Sequence, residues 1–92
     1  MVSRRMITEI EKQILMTMLG GHRPKWRRGY RNRYLASTEG MSHQHLLAME
    51  RMGLVFAGKF LSEKNLCWHA TESGCRELGF NDDEIALAME VW

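Results

Sequence analysis

Apolar residues recur at intervals of three and four from Ile7 to Leu19. Ile10, Ile14 and Met18 fall on one face, with Leu15 and Leu19 beside them. That period is helical. Thr8 and Glu11 have the spacing of a capping box, with Thr8 as N-cap and Glu11 at the third helical position. Gly20-Gly21 supplies the stop. The pattern predicts a helix from Thr8 to Leu19. A second helical pattern places Leu46, Met49 and Met52 on one face with Leu47 beside them, Ser42 as N-cap and Gly53 just past the end. It predicts a helix from His43 to Met52. Leu54 to Phe60 and Leu66 to Ala70 read as two strands, joined by a polar turn from Ser62 to Asn65. Thr71 is an N-cap for a short helix from Glu72 to Leu78, stopped by Gly79. Asn81 and Glu84 form a capping-box-like pair ahead of Ile85, Leu87, Ala88, Val91 and Trp92, which predict a last short helix.

Between the first two clear helices the apolar period disappears. Pro24 and Gly29 punctuate this stretch, which we read as a loop leading into a short helix near Tyr30 to Ala36. Ser37, Thr38, Glu39 and Gly40 make a turn. The expected fold is therefore one α+β domain over residues 1–92: helix, basic loop with short helix, helix, β-hairpin, C-terminal helices. Leu46, Met49, Leu54, Phe56, Trp68 and Leu78 are the expected core around the hairpin.

The run from Leu46 through Met49, Glu50, Met52, Gly53, Leu54 and Val55 into the hairpin resembles the end of the recognition helix and the wing of winged-helix proteins. Trp68-His69-Ala70-Thr71-Glu72-Ser73-Gly74-Cys75-Arg76-Glu77-Leu78-Gly79 resembles their passage from wing to following helix. Tyr30-Arg31-Asn32-Arg33-Tyr34 and its spacing to Gly53-Leu54 are similar to small phage- and prophage-encoded winged-helix-like proteins of unassigned function. The resemblance covers residues 30–80. It implies a winged-helix-like fold, a phage or bacterial regulatory setting, and a cytoplasmic location in a bacterial host cell. The two-turn helix expected before the recognition helix is shorter than that pattern asks for, and the recognition helix has no Arg or Lys before Arg51.

Composition changes this picture in two respects. The chain has 45% hydrophobic and 26% charged residues, which suits a globular domain rather than a disordered one. Its apolar runs, such as Leu54-Val55-Phe56-Ala57, fall far short of the roughly 20 residues needed to cross a bilayer. No membrane association is expected. The N-terminus carries charge but no apolar stretch of a secretory signal. Cys67 and Cys75 are too few for a disulfide framework and read as reduced thiols. The net charge of +2 conceals a division. Residues 1–34 carry nine Lys/Arg against Glu9 and Glu11, whereas residues 35–92 carry four against nine acids.

That division points to candidate chemistry. Arg23, Lys25, Arg27, Arg28, Arg31 and Arg33 make six of the eleven residues from 23 to 33 basic, with no acid, and Trp26, Tyr30 and Tyr34 are interleaved. Fixed cations bind phosphates by releasing counterions, and Arg forks onto phosphate oxygens. Aromatic rings stack on unpaired bases or anchor a loop. Ser42, His43, Gln44 and His45 open the second clear helix, where Gln44 can pair with an adenine edge and the others can meet a phosphate. Lys64 sits on the expected wing. DNA, double-stranded, is the leading expected partner. The alternative is a protein-binding module that docks on a host protein, with the basic loop meeting an acidic surface or the chain's own acidic C-terminal half mimicking nucleic acid. A homodimer through Met89, Val91 and Trp92 is a further expectation.

No enzyme, cofactor or metal is expected. Cys67 and His69 share one side of a strand, with Cys75, His43 and His45 elsewhere, but no C-x-x-C or H-x-x-x-H pair exists. Ser37 and Ser73 read as turn residues, and Asp82, Asp83 and Glu84 as first-turn acids that favour the helix dipole. Eight methionines read first as core filling, with an adaptable protein-binding face as the other possibility.

Overall fold

The computed structural model describes residues 6–20 and 31–90. They form four helices and a three-stranded antiparallel sheet, an α+β arrangement. Helix α1 spans Glu9–Leu19. Thr8 Oγ1 accepts from the Glu11 N–H at 3.1 Å, and Glu11 Oε1 accepts from the Thr8 N–H at 3.0 Å. Gly20, in the left-handed conformation, ends the helix. The stripe it buries is Glu11, Ile14, Leu15, Met18 and Leu19. Ile10, which the period placed on that face, is 57% exposed, because the buried stripe runs through position 11 rather than 10.

The first strand, β1, is Tyr34–Ser37. This corrects the short helix expected near Tyr30 to Ala36. Tyr34 pairs with Trp68, Leu35 with Cys67, Ala36 with Leu66 and Ser37 with Asn65. A four-residue strand is too short to show its period in sequence, and its pairing partner lies about thirty residues onward. Helix α2, Met41–Arg51, starts earlier than expected. Gly40 rather than Ser42 is its N-cap, and no side chain caps it. The hairpin is β2, Val55–Phe60, and β3, Asn65–Ala70. Its turn is closed by the Leu61 N–H donating to the Asn65 carbonyl at 2.8 Å. The strand order is β1-β3-β2. Ala57 pairs with Trp68 and Phe60 with Leu66, so Gly58 and Lys59 together face Cys67 alone, a β-bulge.

Helix α3, Glu72–Glu77, is capped by Thr71, whose Oγ1 accepts from the Gly74 N–H. Gly74 is there because α3 lies against the backbone of Leu54: a Cβ would come within 2.2 Å of the Leu54 carbonyl oxygen. Helix α4, Asp82–Glu90, has the Asn81–Glu84 capping pair, with both reciprocal bonds made.

Helices α1 and α2 pack on one face of the sheet. The core they share with it contains Leu15, Met18, Leu46, Met49, Leu54 and Trp68, all 1% exposed or less. Of the expected core, Leu46, Met49, Leu54 and Trp68 are buried, while Phe56 and Leu78 are only half-buried. Strand β2 begins at Val55, which points at the helices, so Phe56 turns to the other face. Asn32, 1% exposed, clasps the architecture. Its Oδ1 accepts from the Ala70 N–H at 2.7 Å, and its Nδ2 donates to the carbonyls of Ala70 at 3.1 Å and Ala88 at 3.4 Å.

Candidate nucleic-acid interface

The strand period puts Leu35, Cys67, His69 and Phe56 on the sheet face away from α1 and α2. That face opens on a groove of about 960 Å3. Leu35, Phe56, Leu61, Cys67 and His69 line its floor, and Arg31, Arg33 and Lys59 add three cations; no acid lines it. Leu35 is 52% and Leu61 67% exposed. The Arg31 Nη2 donates to the Arg33 carbonyl at 3.0 Å, which curls its side chain back over the start of β1. Its Nε is buried and has no hydrogen-bond partner among the described residues.

The floor is organised by His69. Its Nδ1 lies 2.7 Å from the Asn32 carbonyl, an acceptor, so Nδ1 carries the proton and Nε2 turns toward β2. There it approaches Gly58 so closely that a Cβ at that position would lie 2.5 Å from it. The glycine of the bulge thus makes room for the ring. The Phe56 and His69 rings are tilted at 38° with centroids 5.3 Å apart. Asn32 therefore links the core to the groove: its side chain holds β3 and α4, and its carbonyl orients His69.

The start of α2 lies on the helix-covered side of the sheet. His43 meets the buried Trp68 edge-on at 6.0 Å, and its Nδ1 is buried with no hydrogen-bond partner among the described residues. His45 Nδ1 is 3.1 Å from Oε2 of Glu11, which is 2% exposed. Ser42 is half-buried and Gln44 exposed. Lys64 pairs with Glu39 at 3.2 Å, both well exposed. Of the residues singled out in the sequence, Arg31 and Arg33 come together, and Ser42, His43, Gln44 and His45 are separated from them by the sheet. Arg23, Lys25, Arg27 and Arg28 lie outside the described residues, as do Tyr30, Val91 and Trp92. Met89 packs half-buried against the core.

Sequence reading missed Lys59, Leu35, Phe56 and Leu61 as groove residues. Lys59 is a lone cation between Gly58 and Phe60, and only the bulge and the strand order bring it to the same groove as Arg31 and Arg33, across β3 from them. Among the described residues no three His, Cys, Asp or Glu side chains gather as a metal site, and no helix is long and apolar enough to cross a membrane. Cys67 lines the groove whereas Cys75 lies in the core, and both are free thiols. In comparisons with protein-family models, curated proteins and solved structures, the chain matches none.

Proposed function

We propose that this protein is a non-catalytic nucleic-acid-binding module of winged-helix-like build, gripping phosphates with the basic, open side of its sheet. The observation that carries the reading is the gathering of Arg31, Arg33 and Lys59 along one groove that has no acidic lining residue. Arg31 and Arg33 end the run that begins with Arg23, Lys25, Arg27 and Arg28 in the sequence. A focused positive field raises the local concentration of a polyanion and speeds its encounter. The winged-helix-like reading is supported by the element order: helix, strand, helix, hairpin, with the lone strand beside the hairpin's second arm. One helix, α2, stands between β1 and the hairpin, where a helix-turn-helix places two. With His43 and His45 turned to Trp68 and Glu11, α2 keeps only Gln44, Glu50 and Arg51 as exposed polar side chains, a poor set for reading base edges. Binding with little sequence preference follows, since phosphate contacts carry no sequence information.

A second reading, docking on an acidic host protein, is favoured by the exposed leucines of the groove, which suit apolar side chains of a partner. Titration of labelled duplex DNA at about 50 mM salt and micromolar protein separates the two, because non-specific DNA binders associate there. Association is expected. Absence of binding to both duplex and single-stranded DNA refutes the nucleic-acid reading and leaves the acidic partner.

A further inference from the structure

The groove is more than a row of cations. Its floor is apolar, with Leu35 half-exposed and the Phe56 and His69 rings side by side, while Arg31 and Arg33 stand at the β1 side and Lys59 at the β2 side. Strand β3 lies between, so the two sets of cations sit two strand spacings apart, roughly 10 Å. A duplex keeps its bases paired and stacked inside, and presents phosphates alone to such a surface. It would satisfy the cations and leave the apolar floor uncovered. A single strand presents both chemistries at once: phosphates for guanidinium and ammonium groups, and flat base faces for rings and aliphatic side chains.

We propose that the open face of the sheet is a single-strand site, in which unpaired bases lie on Phe56 and Leu35 and the flanking phosphates meet Arg31, Arg33 and Lys59. This rests on the nucleic-acid reading above and narrows it. Little preference among bases is expected, because every base offers a π face for stacking.

The test is fluorescence anisotropy with three probes at matched salt: an oligothymidine of about 15 nucleotides, a duplex of equal length, and an acidic peptide of alternating Glu and Leu. The single strand should bind at least about tenfold more tightly than the duplex. Phe56→Leu keeps the apolar volume and removes the ring. It should weaken oligothymidine binding roughly 5- to 100-fold and leave duplex binding unchanged, while Phe56→Tyr restores the wild-type value. Leu35→Ala, at an exposed position where folding is not at stake, should weaken the single strand alone. Circular dichroism melts of Phe56→Leu check that its fold is intact. Duplex binding equal to or tighter than the single strand overturns the single-strand site and leaves the nucleic-acid reading standing. Binding of neither nucleic acid overturns both, and binding of the peptide alone transfers the groove to a protein partner.

Discussion

Burial pushes the Cys75 thiol up to about 11, helped by the Glu72 carboxylate and opposed by Arg76. A thiolate there would lose its hydration in the core. In the unfolded chain the thiol titrates near the ordinary value of 9.0. Between those two values the folded state holds a proton that the unfolded state has released, so stability falls as pH rises from about 9 to about 11. Equilibrium denaturation across that range should show the loss, and Cys75→Ala should remove that part of the slope. A wild-type slope unchanged in the variant would contradict this origin. Nothing in the sequence distinguishes Cys75 from Cys67, and only the packing puts one in the core and the other at the groove. Glu11 is similar. Its capping role is legible from Thr8 three residues earlier, but its second oxygen meets His45, thirty-four residues away, and no local pattern announces that pair. Asn32 was hidden within a basic run whose charge dominates any reading of it.

Helices were legible where they carry their own signals. The Thr8–Glu11 and Asn81–Glu84 boxes and the Thr71 cap are local chemistry, and each appears as read. Strand β1 was not, because its four residues derive their conformation from pairing with β3 rather than from propensity. The same pairing decides that Leu35 faces the groove and Ala36 the core. Asn32 works at this scale, since it joins the approach to β1, the end of β3 and the end of α4. Asn32→Ala leaves the buried Ala70 N–H without its acceptor, and two carbonyls lose a donor. A loss of about 2–4 kcal/mol is expected from urea unfolding, since each buried unsatisfied group costs about 1–3 kcal/mol. In the same variant the His69 ring keeps its acceptor, because that is the backbone carbonyl of residue 32. A stability change below about 1 kcal/mol would show that the clasp is not needed.

Over the whole molecule, the two sides of the sheet differ in chemistry among the described residues. The helix-covered side of the sheet spends its histidines on Trp68 and Glu11, whereas the open side collects Arg31, Arg33 and Lys59 over an apolar floor. That one segment was basic was plain from residues 23–33; that its end shares a surface with Lys59, and not with the start of α2, depends on strand order. The central claim is that nucleic acid meets the open side. The slope of log affinity against log salt, measured with wild type, Arg33→Ala and Gln44→Ala, tests it most directly. On duplex DNA, with three to five phosphates neutralised, the wild-type slope should be about −3 to −4.5. Arg33→Ala should make it shallower by about 1, and Gln44→Ala should leave both slope and affinity unchanged. An unchanged slope in Arg33→Ala, together with weakened binding in Gln44→Ala, would place the ligand on α2 and contradict the account.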